Sequence, residues 1–146
     1  AALALGAEGV LIGSRMLVAD EIWAHDAYKR HLTGLDETAT TTVLRSLQNT
    51  YRCLANDTAA EVHRLEGDGV QDYATLGPLV GGALQKHAYE TGDWTQGILS
   101  LGPAAAFCDR LEPAAAILAR LEADALAALG RLDRLGQPAT SQRTRA

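Results

Sequence analysis

The sequence reads as an α/β chain in which one buried strand is followed by a mainly helical segment. Two observations predict this. Residues 9–13, Gly-Val-Leu-Ile-Gly, form a short continuous apolar run between glycines. That is the pattern of a strand covered on both faces, as in a parallel sheet under helices. The remainder is rich in Ala and Leu, which lose little free energy on entering a helix, and only 5% of residues are aromatic within a composition that is 47% apolar. At 146 residues the chain is long enough for one ordinary domain with a sizeable core.

In chain order, residues 1–6 read as the last turns of a helix stopped by Gly6. The strand at 9–13 follows. Asp36 to Gln48 is expected to be helical, although the β-branched Thr38, Thr40, Thr41 and Thr42 weaken it. Thr58 with Glu61 forms a capping box for a helix reaching Glu66, with Gly67 just beyond. Leu79 to Tyr89 is expected to be helical despite Gly81 and Gly82, and the pattern stops by Gly92. Gly97 to Leu101 is the one other stretch with strand character. The clearest helix carries Pro113 in its first turn and runs to about Leu129. Its Ile117, Leu118, Leu121, Ala125 and Leu129 form one apolar stripe, so it is expected to pack on something. From Gly136 onward the polar run is expected to be disordered.

A lone buried strand would leave its backbone groups unpaired, at about 1–3 kcal/mol each. Either the chain is a helical domain with an odd N-terminus, or its sheet is completed by residues upstream. The opening Ala-Ala-Leu-Ala-Leu-Gly carries neither an initiator Met nor a basic leader. The start is therefore expected not to be the natural one, and no secretory signal is read.

Charge narrows the partners. The 18 acidic and 13 basic residues give a net charge of −5, and no basic stripe runs along any segment. Nucleic acid and anionic membrane surfaces are thereby poor partners; Arg143 and Arg145 read as a solvated tail. No apolar run approaches the roughly 20 residues needed to cross a bilayer. Cys53 and Cys108 show no disulfide-framework spacing and read as reduced, partly buried thiols of a cytoplasmic protein. His31, His63 and His87 are scattered without metal-ligand spacing, so no metal site is expected.

Several motifs carry a resemblance. Ala1-Ala-Leu-Ala-Leu-Gly-Ala-Glu-Gly-Val-Leu-Ile-Gly-Ser-Arg15 is similar to A-x-A-L-G-A-x-G-V-x-x-G-T-R-F, with Ser14 in place of Thr and Met16 in place of Phe. His25-Asp-Ala-Tyr-Lys29 resembles H-P-x-Y-K, with Asp26 for the Pro. Leu47-Gln-Asn-Thr-Tyr-Arg52 and Asn56 resemble L-R-N-T-x-R…N. Gly92-Asp93, Gly97, Ser100 and Gly102 match G-D-x-x-x-G-x-x-S-x-G. Four such motifs in unbroken order over roughly residues 1–125 resemble the C-terminal part of the nitronate monooxygenases, formerly 2-nitropropane dioxygenases.

The resemblance implies the last strand of a (β/α)₈ TIM barrel followed by a mainly helical segment. Residues 1–24 would end an FMN-binding barrel with a phosphate-site turn, 25–91 would be helical, 92–130 would form a C-terminal loop and helix packing on the barrel, and 131–146 a disordered tail. It also implies that Leu11, Ile12, Gly13 and Ser14 hold the phosphate of FMN through backbone groups. The residues themselves agree: a missing Cβ at Gly13 admits a ligand to the backbone, and Ser14 stands where it could cap a short helix whose N–H groups attract phosphate. By the residues alone, strand-Gly-Ser is a weak signal and a plain strand-to-helix turn is the favoured reading. Arg15 either approaches the phosphate or pairs with Glu21 or Asp20. His25 reads as a helix start rather than a base. Trp94 either covers the cofactor or packs the loop. Pro103, where relatives often carry Gln, removes a donor and a side-chain amide.

No catalytic residue is named, because the histidine proposed for the family belongs to an earlier barrel strand. The implied activity is oxidation of an alkyl nitronate by O₂ through FMN, with the nitronate as small-molecule substrate. Two rivals stand beside it: a related flavin-dependent enoyl-acyl-carrier reductase, and a non-catalytic helical remnant whose Ala/Leu stripe is an interaction face. The Leu47 to Asn56 stretch leans toward the monooxygenase branch.

Overall fold

A computed structural model describes residues 1–136 of the chain. It divides into two compact units, residues 1–114 and the helix that continues from Ala115.

The first unit opens on a 3₁₀ turn, Leu3–Leu5, closed by Gly6 at φ 94°. The backbone then runs through residues 9–13 without regular structure, with Val10 and Leu11 exposed. The buried strand expected here does not form in this chain. A parallel strand needs neighbours for its N–H and C=O groups, and no described strand lies beside it. A second 3₁₀ segment, Ser14–Val18, leads to α1, Asp26–Leu32. His25 caps α1, its Nδ1 accepting the Ala27 N–H at 3.0 Å, and its own N–H donates to the Tyr89 carbonyl at 2.7 Å.

The helix expected over Asp36–Gln48 is instead a hairpin. β1, Thr40–Val43, pairs antiparallel with β2, Tyr51–Leu54, in the register Thr40↔Leu54 to Val43↔Tyr51. Consecutive β-branched threonines favour the pleated backbone once a partner strand is available. β2 carried no recognised strand pattern in the sequence. The turn between them places Leu44 and Gln48 at φ 64° and 55°, a conformation that ends any helix.

Helix α2, Asp57–Gly67, is capped by Asn56, whose side chain accepts the Ala59 N–H at 3.0 Å. The expected Thr58–Glu61 capping box is absent. Thr58 turns inward, where its hydroxyl accepts the Gly97 N–H at 2.8 Å, and Glu61 pairs with Arg64. The helix expected over Leu79–Tyr89 is two: α3, Tyr73–Val80, capped by Asp72, and α4, Gly82–Thr91. Gly81, with ψ 150°, is extended and separates them. Gly92 closes α4 at φ 83°.

Residues 97–101 approach strand geometry but make only one bridge, Cys53↔Ser100, together with a Leu54 N–H to Leu99 carbonyl bond of 2.9 Å. The two-residue period of extended chain then sorts neighbours into two cores. Leu54 and Leu99 join Val18, Tyr28 and Leu32 in one. Cys53 and Ile98 join Val43, Val62 and Leu76 in the other.

The final helix, α5, runs Ala114–Gly136, seven residues past the expected end at Leu129. Leu118 and Leu129 of its expected stripe are exposed. Residues 131–136, assigned to a tail from sequence, are helical, and 137–146 lie outside the described residues. Among the described residues, no helix is long and apolar enough to cross a membrane.

Candidate functional site

A hollow of about 370 Å³ opens in the first unit, lined by residues of four segments. Gly13, Ser14 and Leu17 come from the turn after the extended N-terminal run. Tyr51 and Arg52 come from β2, Tyr89 from α4, and Ser100, Leu101 and Gly102 from the loop that bridges to β2. This volume lies within the range of small-molecule sites, roughly 300–1,000 Å³.

Long-range bonds hold the segments together. The Gly102 N–H donates to Ser14 Oγ at 2.9 Å. Cys108 Sγ donates to the Ser14 carbonyl at 3.2 Å. Tyr51 Oη and Ser100 Oγ share a short hydrogen bond. Arg52 Nη1 donates to Thr40 Oγ1 across the hairpin at 3.0 Å, fixing one edge of the guanidinium and leaving its other donors free in number. Arg52 is the one charged side chain among the lining residues.

Of the four cofactor-binding residues expected from sequence, the hollow includes Gly13 and Ser14. Leu11 is fully exposed, and neither it nor Ile12 lines the hollow. Gly13 has φ −103°, so no left-handed conformation demands glycine there. Its missing Cβ matters only as space, since a Cβ built there meets nothing within 4 Å. Ser14 does not cap the following segment. Gly13 occupies the cap, without a side-chain bond, and the serine hydroxyl is engaged by Gly102 instead.

Arg15 departs furthest from expectation. It pairs with neither Glu21 nor Asp20 and lies 6% exposed, its Nη2 bonded to Glu112 and, at 3.1 Å, to Asp109. Glu21 accepts the Ala114 N–H at 2.8 Å, a bond that holds its carboxyl below the usual range. The Asp20 carbonyl is taken by buried Lys29, whose Nζ also donates to the Ala19 carbonyl. Arg15 is thus a clamp on the segment after Gly102, turned away from the hollow.

Trp94 does not line the hollow. It stacks on His31 with ring centroids 4.3 Å apart and packs against the first core; the neighbouring burial lowers the His31 pKa. His25 serves as the α1 cap. Pro103 begins a 3₁₀ segment, Pro103–Phe107, where a missing N–H costs nothing. Burial pushes the Cys53 thiol up to about 11 and raises Cys108 as well. Neither is an activated nucleophile. The hollow's lining contains no His, Asp or Glu, so no lining side chain is a carboxylate or imidazole base.

Sequence reasoning gave no site role to Tyr51, Arg52, Tyr89 or Ser100. The available signal was the Leu47–Arg52 motif, a polar stretch whose strand character the threonine-rich partner β1 reveals only after pairing.

The α/β arrangement thus brings the Gly13–Ser14 turn, β2, α4 and the Ser100–Gly102 loop around one hollow of small-molecule size. The family model described as nitronate monooxygenase matches residues 1–124, and this chain belongs to that family, whose members are flavin-dependent oxidoreductases. Among solved structures, FabK from Thermotoga maritima is similar, with a TM-score of 0.81, 23% identity, and coverage of 92% of this chain and 42% of that one. A methionine-to-alanine mutant of the same protein gives a TM-score of 0.71 at 22% identity, covering 92% of this chain and 38% of that one. At such identities the likeness is one of fold. The chain spans about two-fifths of the length of the structures it matches.

Proposed function

We propose that this chain contributes one wall of an FMN site in an enzyme that oxidises alkyl nitronates with O₂. The observation that carries the reading is the hollow itself: Gly13, open on its Cβ side, Ser14 and Arg52 line one cavity of ligand size. FMN, when bound, supplies the redox chemistry of the reaction. The residues present suit its phosphate end. Backbone groups at Gly13 and Ser14 are approachable, and the Ser14 hydroxyl retains a proton to donate while accepting from Gly102. Leu17, Leu101 and Tyr89 supply apolar walls that exclude water. The reading narrows the expected contacts to Gly13 and Ser14. In this proposal the proton acceptor is not among the lining residues.

Reduction of an enoyl-acyl-carrier substrate is the second reading, since the C-terminal third of that related branch carries similar motifs. The Leu47–Asn56 motif resembles the monooxygenase branch, and two of its residues, Tyr51 and Arg52, line the hollow. That favours nitronate oxidation.

The test uses the natural full-length polypeptide. Purified protein should retain FMN and consume O₂ on addition of an alkyl nitronate. Gly13→Val should change the melting temperature little, because a Cβ at this position meets no atom within 4 Å, yet lower flavin content by blocking approach to the backbone. Equal flavin content in wild type and Gly13→Val would remove the turn from the site. Nicotinamide-dependent enoyl reduction without nitronate turnover would select the second reading.

A further inference from the structure

The basic residue adjacent in sequence to the Gly13–Ser14 turn is Arg15, yet its guanidinium is buried against Asp109 and Glu112. Those carboxylates neutralise it, and it is absent from the lining of the hollow. A dianionic phosphate brought into this hollow would be held more tightly by a cation beside the backbone donors, because a charge drawn out of water is stabilised by an opposite one. The lining supplies one candidate. Arg52 lies on β2 opposite Thr42, and diagonal to Thr40 on the same face of the hairpin. The 3.0 Å bond from Nη1 to Thr40 Oγ1 restrains the fork without neutralising it. Its neighbour Tyr51 is held by Ser100, so the strand presenting Arg52 is tied to the same loop that carries Gly102.

We propose that Arg52, not Arg15, is the cation that binds the anionic end of the ligand in this hollow, with Thr40 as the residue that orients its guanidinium. This inference rests on the flavin reading above and adds a specific charged partner to it. A guanidinium offers paired donors that match phosphate oxygens. The pairing supplies what the five-residue 3₁₀ segment after Gly13 is too short to provide.

The experiment compares FMN with riboflavin, which lacks the phosphate, as ligands of the flavin-stripped full-length protein, followed by quenching of flavin fluorescence. Arg52→Ala should weaken FMN binding roughly ten- to a hundredfold, the range of one charge-assisted contact, and leave riboflavin affinity unchanged. Arg52→Lys should recover part of the FMN affinity. FMN binding by wild type should weaken with added salt more steeply than binding by Arg52→Ala. Arg45→Ala is the control: Arg45 bonds Thr42 at 2.7 Å but does not line the hollow, and FMN affinity should be kept. Wild-type FMN affinity in Arg52→Ala would overturn the role of Arg52 while sparing the flavin reading. Failure of wild type to bind either flavin would overturn both. Equal losses of FMN and riboflavin affinity would assign Arg52 to the shape of the site rather than to the phosphate, and would also overturn the inference.

Discussion

Ser14 Oγ accepts the Gly102 N–H at 2.9 Å, joining residues 88 positions apart at the edge of the hollow. The bond is partly buried, so its donor has little access to water. Ser14→Ala should therefore orphan that N–H and cost about 1–3 kcal/mol. Ser14→Thr, which keeps the hydroxyl, should cost less. Urea denaturation of the two variants checks the order; an alanine variant as stable as wild type would mean that water replaces the hydroxyl.

Arg15 binds two carboxylates of unequal burial. The Glu112 side chain is 14% exposed and that of Asp109 is 53% exposed. Removing Arg15 leaves Glu112 in a poorly solvated place, with Arg110 at 3.4 Å as remaining support, and should cost about 3 kcal/mol. Asp109→Ala removes a screened, half-exposed partner and should cost less than about 1 kcal/mol. Chemical denaturation midpoints should separate these variants, and coincident midpoints would show that the clamp has no buried component.

Two glycines at similar positive φ should respond differently to alanine. Gly69 has φ +89° and an open Cβ direction, so Gly69→Ala bears only the left-handed backbone cost, about 1–2 kcal/mol. Gly97 has φ +82°, but a Cβ there would lie 2.8 Å from the backbone of Leu84 and Gln85. Gly97→Ala should add overpacking of about 1–3 kcal/mol more and disturb the Asn56 side chain, which donates to the Gly97 carbonyl at 2.9 Å. Thermal melts of both variants test this, with equal shifts as the contrary result.

Cys53 is fully buried, and its pKa stands at about 11 against an ordinary 9.0. Native protein should react slowly with a thiol reagent at pH 8, and both cysteines should titrate after denaturation. The linkage has a definite sign. Above pH 9 the unfolded state loses thiol protons that the folded state keeps, so unfolding becomes more favourable as pH rises. The contribution of the protonated thiol is complete below pH 9 and is lost as pH rises towards about 11. Melting temperature should fall over that interval, and Cys53→Ala should fall less steeply.

Local chemistry was legible in the sequence. Gly6 and Gly92 end their helical turns because left-handed φ is cheap for glycine alone. His25 marks the start of α1, and the order of motifs carried the family. Partner choice was not legible. The threonines at 40–42 weaken a helix locally, but only the presence of β2 makes them a strand. The run at 9–13 has the composition of a buried strand and stays irregular, because composition cannot supply the neighbouring backbone that a strand must bond. Likewise Arg15 stands beside the Gly13–Ser14 turn in sequence, while Arg52 is 38 positions from Ser14 and shares its hollow. Sequence thus determined the stops at Gly6 and Gly92, the start at His25 and the family; tertiary structure decided where the two arginines lie, because carboxylates brought from residues 109 and 112 pair with Arg15 while the hairpin places Arg52 in the lining of the hollow.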